Sequence, residues 1–302
     1  MSNGSAKQKV IQNIKDVTNI LVTVSSSPSV DELSAALGLT IFLNKLGKHA
    51  TAVFSGDIPP AITFLNPDKT FEQTADSLRD FIIALDKEKA DHLRYKVVDD
   101  AVKIFITPYR TTITDKDLEF SQGDYNVELV LALNVENSES IDTALTAHGK
   151  ILHDATVVAI TAGDVKSGLG SVDWHESNAS GVSEMVVELL DDLKTPKVTL
   201  DEQMATALLT GIVAVTDRFS NGNTSSKVMT TAAELMAAGA NQQLVVSKIA
   251  ESGVEDKPQK IEKIEEKSPE KEEAPEGKTE EVEKDEETVH ADGTLSISHE
   301  KK

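Results

Sequence analysis

The residues with which this chain could do chemistry gather in four short polar stretches: 25–31, 134–138, 161–173 and 216–223. In the first, Ser25, Ser26 and Ser27 precede Pro28, Ser29 and Asp31. A nucleophilic serine needs a base, and neither His nor Lys stands near these serines in the sequence. Ser29 suits a second role, capping a helix that begins behind it. The third stretch places Lys166 among glycines, a composition that can cradle a phosphate through backbone N–H groups. It lacks the spacing of a P-loop and reads as a plain connection. Asp173, His175 and Glu176 beside Trp174 are suitable metal ligands by type, but neighbouring residues rarely converge on one ion, and a polar loop also accounts for them. His148 and His153 are five residues apart, share no helix face, and read as surface histidines. Asp217 and Arg218 fit either a surface ion pair or the rim of a cleft.

These stretches matter only if the elements around them hold them together. Residues 19–25 read as a buried strand. Residues 30–46 carry Leu33, Leu37 and Ile41 at helical spacing and end at Gly47, a suitable C-cap. Residues 49–54 form a second strand, so the three make a strand–helix–strand unit with parallel pairing and a right-handed crossover. Alternation resumes with a strand at 127–133, a helix at 140–152 and a strand at 156–160. Helices are expected at 177–193, 201–215, 225–238 and 242–249. Between the two halves, 81–85, 94–98 and 102–106 are β-rich, with a turn at Asp99 and Asp100. They read as a β-hairpin insertion over 78–120 that could supply a pairing edge, leaving a homo-oligomer open. The fold class expected is α/β, a mostly parallel sheet flanked by helices. In such sheets functional groups sit at the carboxyl ends of strands, where the polar stretches fall.

Composition narrows the partners. The formal net charge of −21 argues against bulk DNA, RNA or anionic lipid as a partner, because phosphate binding relies on Lys and Arg. There is no cysteine, hence no disulfide or thiolate metal site. No apolar run reaches the roughly 18 residues of a membrane span, and the polar N-terminus has no signal-peptide core. A cytoplasmic protein is expected. From residue 251 to the end, 18 acidic and 9 basic residues accompany Pro258, Pro269 and Pro275. The expected organisation is an α/β domain over 1–252 and a disordered Glu/Lys-rich tail over 253–302.

Four segments, in order, resemble the DHH-family phosphoesterases, which include oligoribonucleases, pAp phosphatases and cyclic-dinucleotide phosphodiesterases. Ser25-Ser-Ser-Pro-Ser-Val-Asp-Glu-Leu-Ser34 stands where the family has His-x-x-Pro-Asp-x-Asp-Ala-x-Gly. Leu131-Ala-Leu-Asn134 stands where the family has a strand ending in Asp. Val158-Ala-Ile-Thr-Ala-Gly163 replaces Ile-Asp-His-His, and Gly211-Ile-Val-Ala-Val-Thr-Asp-Arg-Phe219 matches Gly-(x)3-Asp-Thr-Gly-x-Phe. The resemblance covers roughly residues 15–250 without the insertion. It implies a DHH phosphoesterase-like N-terminal domain, and the family's second, substrate-binding domain has no evident counterpart.

The resemblance also implies what has changed. The ligand positions are occupied by Ser25, Ser29, Asp31, Asn134, Thr161, Ala162, Gly163 and Val215, with Asp217 two places late; only Asp31 keeps a ligand type in register. Two-metal hydrolysis needs paired dications about 3.5–4 Å apart, held by several carboxylates and imidazoles. The expectation is therefore a catalytically inactive DHH-like protein that serves as a binding or scaffold module for a protein or small nucleotide. Its degenerate ligand site would comprise Ser25, Ser29, Asp31, Asn134, Thr161, Gly163 and Asp217, with no catalytic residue, metal or cofactor. The alternative is an active phosphoesterase with relocated ligands, Asp31, Asp164, Asp173, His175 and Asp217, using Mn2+ or Mg2+. A third reading gives the functional role to the tail.

Overall fold

The computed structural model describes residues 3–253, 286–289 and 295–298. Helix α1 (Asn3–Asp16) leads into β1 (Asn19–Val24), α2 (Val30–Lys45) and β2 (His49–Val53). Two 3-10 turns, Pro60–Leu65 and Pro67–Lys69, bring the chain to the short β3 (Phe71–Glu72). Four strands follow: β4 (Arg79–Leu85), β5 (Ala90–Val98), β6 (Ala101–Pro108) and β7 (Leu118–Tyr125). The chain then forms β8 (Leu129–Leu133), the short helices α3 (Thr143–Thr146) and α4 (Gly149–Asp154), β9 (Thr156–Ala162) and β10 (Val172–Glu176). Helices α5 (Val182–Leu193), α6 (Glu202–Val215), α7 (Ser226–Ala237) and α8 (Gln242–Ser252) complete the body. In a separate unit, β11 (Glu286–Val289) and β12 (Leu295–Ser298) pair antiparallel with each other. The rest of the expected tail lies outside the described residues.

Six strands form a sheet in the order β10-β9-β8-β1-β2-β3, and every pairing is parallel. The parallel α/β sheet with antiparallel hairpins expected from the sequence is thus present. A parallel sheet covered on both faces explains why the central strands are apolar throughout rather than alternating. Successive residues still divide between the faces. Ile20, Val22 and Val24 of β1 join the larger core with α2, α5 and α6, while Leu21 joins the smaller one under α3 and α4. In β8, Leu129, Leu131 and Leu133 face the larger core, and Val130 and Ala132 the smaller.

Several elements depart from expectation. Helix α1 begins within the polar N-terminus; its Val10, Ile11 and Ile14 are buried at helical spacing. The helix expected over 140–152 is broken at His148, whose backbone leaves helical geometry just before Gly149. Residues 172–176, read as loop, are the edge strand β10, anchored by the fully buried Trp174. Helix α5 starts at Val182 rather than near 177. The β insertion extends beyond 120, because β7 runs to Tyr125 and pairs with β4. Among the described residues, no helix is long and apolar enough to cross a membrane.

The insertion is an arm of two successive antiparallel ladders. β4 pairs with β7, and β5, turning at Asp99 and Asp100, pairs with β6. Asp99 has φ +53°, which suits a tight hairpin turn. The register aligns Ile83 with Phe120, Tyr95 with Ile104 and Val97 with Val102. These side chains share one face of each ladder, and Arg94, Lys96 and Lys103 lie on the other face of β5–β6.

Candidate functional site

Strand order reverses between β1 and β8: from β1 the chain proceeds to β2 and β3 on one side, then returns to β8, β9 and β10 on the other. Ligands of open α/β sheets bind in the crevice at such a switch point. Ser25 and Asn134 leave β1 and β8 there, so the topology does bring these two stretches together.

The mouth of this crevice is laced by backbone hydrogen bonds. The N–H of Ser26 donates to Ser140 O at 2.8 Å, and that of Asp142 donates to Val24 O at 3.1 Å. Ser25 forms an antiparallel bridge with Ile141. Asp142, itself buried, caps α3 through Ala144 N and accepts from Ser55 N and Ser55 Oγ at 3.1 and 2.9 Å.

The serines expected at the site are tied to a residue that sequence reasoning passed over. Ser25 Oγ donates to Glu32 Oε2 at 2.8 Å, and Ser29 Oγ lies 3.3 Å from Glu32 Oε1. Ser29 also caps α2, its Oγ accepting from Glu32 N at 3.2 Å. Glu32 occupies the Ala position of the motif quoted above, so a buried carboxylate has entered beside the two serines. The Ser29-x-x-Glu32 spacing, that of a capping box, was the available signal.

Asp31 faces elsewhere. Its Oδ2 accepts from Val182 N at 2.6 Å and its Oδ1 from Ser183 N at 3.0 Å, the first two amides of α5. Those N–H groups have no intrahelical partner, and the positive end of the helix favours a carboxylate. Gly181, at the N-cap, provides no capping side chain of its own. Burial pushes the Asp31 carboxyl above the usual carboxylate range, and hydrogen bonds from Ser183 and Val182 pull the other way. The fit is close on two sides. A Cβ on Gly181 would lie 2.3 Å from Asp31 Oδ2, and one on Gly211 would lie 2.7 Å from Oδ1 and 2.0 Å from Ser183 Oγ.

The remaining positions are equally engaged. Asn134, left-handed at φ +51°, accepts through Oδ1 from Ala162 N at 3.0 Å. Thr161, buried at the end of β9, contacts His175 Nδ1 of β10 at 3.0 Å. Gly163 is left-handed at φ +66°, and its N–H donates to Glu176 O. Asp217 is exposed and contacts Arg218 at 2.6 Å, the surface-pair reading. It falls on the Gly of the motif Asp-Thr-Gly-x-Phe and has φ +44°; Arg218 and Phe219 continue the left-handed turn. Asp217 therefore fills a conformational slot that glycine adopts most easily, and asparagine or aspartate next.

The other candidates also resolve. In the glycine-containing loop, Gly168 N donates to Glu136 O and Leu169 N to Ser167 Oγ, which takes these amides out of a phosphate cradle. Asp173 is exposed on β10, with partial burial raising its carboxyl and a hydrogen bond from Gly170 opposing that. His148 Nδ1 lies 2.7 Å from Tyr125 OH, tying α4 to the arm.

No three His, Asp or Glu side chains converge as metal ligands among the described residues. A dinuclear metal site does not fit this donor set: Ser25, Ser29, Asn134 and Thr161 are neutral, both Asp31 oxygens are committed to amides, and the further carboxylate beside them, Glu32, contacts Ser25 and Ser29.

Comparison with known proteins places the architecture. It defines a class first: an α/β domain with a six-stranded parallel sheet and its polar loops at the switch point. A solved structure, an exopolyphosphatase-related protein from Bacteroides fragilis, superposes with a TM-score of 0.60 over 82% of this chain and 61% of its own, at 12% identity. Within that class the chain is related to the DHH-family phosphoesterases. It is 30% identical over 118 residues to the bifunctional oligoribonuclease and PAP phosphatase NrnA of Bacillus subtilis (strain 168). That match spans 39% of this chain and 36% of the relative. No family model matches the chain.

Proposed function

We propose that this protein is a DHH-related binding or scaffold module that performs no metal-dependent phosphoester hydrolysis. The observation that carries this reading is the use of Asp31. The one carboxylate that keeps its place in the motif caps α5 with both oxygens, and the neutral side chains at the other positions are already engaged: Ser25 and Ser29 with Glu32, Thr161 with His175 and Asn134 with backbone. Paired dications need several anionic or imidazole donors pointing at a common volume. The alternative set, Asp31, Asp164, Asp173, His175 and Asp217, would have to converge for relocated metal chemistry, and it forms no three-ligand group among the described residues. Binding of a small nucleotide or a protein segment at the strand-end loops rests on their place at the switch point of the sheet, where open α/β sheets take ligands.

The test is an assay of the purified full chain with Mn2+ against short oligoribonucleotides, pAp and cyclic dinucleotides. The expected result is no turnover above a protein-free blank. Manganese-dependent turnover that Asp31→Asn abolishes would overturn the proposal.

A further inference from the structure

The arm exposes an apolar surface that the body does not cover. Tyr95 is 73% exposed, Leu93 63% and Val97 65%. On β5–β6 they share a face with Val102 and Ile104, by the pairing of Val97 with Val102 and of Tyr95 with Ile104. Phe81, Ile83 and Phe120 form the corresponding face of β4–β7, with the rings of Phe81 and Phe120 stacked at 6.0 Å. The two faces meet in one groove of about 400 Å³, walled by Ile83 and Leu85 on one side and by Leu93, Tyr95 and Ile104 on the other. With the ~150–250 Å² an aromatic side chain can bury as a scale, the exposed apolar surface of this face is on the order of 800 Å². The largest such patch on an ordinary monomer is roughly 300–600 Å².

We propose that this face is the interface through which two copies of the chain associate, arm against arm, around a two-fold axis. Three observations select a second copy as the occupant. The area is of the order that each partner contributes to a standard interface, about 800 Å². The named side chains of the face are apolar and uncharged, so it can meet a copy of itself without pairing like charges, as an isologous contact requires. Charge points the same way: residues 79–125 carry 10 acidic and 8 basic side chains, a net of −2, whereas the rest of residues 1–250 carries 23 and 13, a net of −10. Two copies of so acidic a body approach with least repulsion along the nearly neutral arm. Two-stranded ladders are also marginal alone in water, and stacking arm on arm supplies the second layer that each lacks.

Sedimentation equilibrium of the full chain between about 1 and 100 µM tests this. The expected mass at the upper end is twice the 32.5 kDa of one chain. Tyr95→Lys and Ile104→Lys should each weaken association at least ~30-fold, as loss of a central interface anchor does. Lys96→Glu, on the opposite face, should leave it unchanged. Both apolar positions are largely open in the single chain, so circular dichroism should show these variants folded. A monomer at the highest concentration, or a dimer indifferent to both apolar substitutions, would overturn the proposal. So would a chain that dimerises only after removal of 254–302, since the tail would then be the occupant of the groove.

Discussion

Replacing Asp31 by alanine separates a structural role for this carboxylate from a metal-binding one. The substitution leaves the amides of Val182 and Ser183 buried without their acceptor at the start of α5. Leaving a buried donor without its acceptor costs about 1–3 kcal/mol, so the gross loss is roughly 2–6 kcal/mol. Removing the carboxylate also relieves the desolvation that raises its pKa, which offsets part of that loss. The net expected is about 2–4 kcal/mol, or a melting temperature lower by roughly 4–16 °C for a body of this size. The sign of the pH dependence follows from the raised pKa. The stability that Asp31 contributes is fully present below about pH 4, the ordinary carboxylate value, and is lost as pH rises through the elevated folded-state value. The advantage of the native chain over Asp31→Ala should therefore shrink as pH rises above the ordinary carboxylate range. Thermal melting by circular dichroism, with and without 1 mM Mn2+ (about a thousandfold excess over micromolar protein), measures all of this. A variant that melts within about 1 °C of the native chain refutes the capping argument. Stabilisation by manganese of the native chain but not of Asp31→Ala shows that the carboxylate is a ligand after all.

Two further outcomes can be checked on the same material. Gly211→Ala places a methyl group 2.0 Å from Ser183 Oγ and 2.7 Å from Asp31 Oδ1, and should destabilise by about 1–3 kcal/mol in chemical denaturation; adding Ser183→Ala should recover part of the loss. Asp117 is held down to about 2 first by its hydrogen bond with Lys89 and then by those from Thr114, so its contribution is present above the ordinary carboxylate pKa and lost as pH falls through about 2. NMR titration should show the Asp117 carboxyl moving toward its ordinary value in Lys89→Met, and an unmoved titration would remove Lys89 from the account.

The sequence disclosed the framework more fully than the margins, for identifiable reasons. Central strands are apolar throughout because both faces are covered, and α2 announces itself through Ser29 and the spacing of Leu33 and Leu37. Helix α1 was hidden because its buried stripe, Val10, Ile11 and Ile14, lies among lysines and glutamines. Strand β10 was hidden because an edge strand of five residues, with His175 and Glu176 at its end, has the composition of a loop. At the candidate site, residue type at each motif position could be read directly. Orientation could not. Nothing in Ser25 to Ser34 reveals that Asp31 turns toward α5, because that contact joins residues 151 and 152 positions apart. The left-handed backbone at Asp217 is likewise a property of the turn after α6, and only its place on a motif glycine hinted at it.

The arm leaves and re-enters the body at one point. Arg79 pairs with Tyr125, and the amide of Asn126 donates to Leu78 O at 2.7 Å, so the strands at its base stand one ladder spacing apart, about 4.5–5.5 Å. A two-residue turn spans that gap without disturbing β3 or β8. The arm is thus a cassette in the genetic sense: an ancestor could have acquired it by a single in-frame insertion into a surface turn, and an engineer could excise it or graft it elsewhere by the same junction.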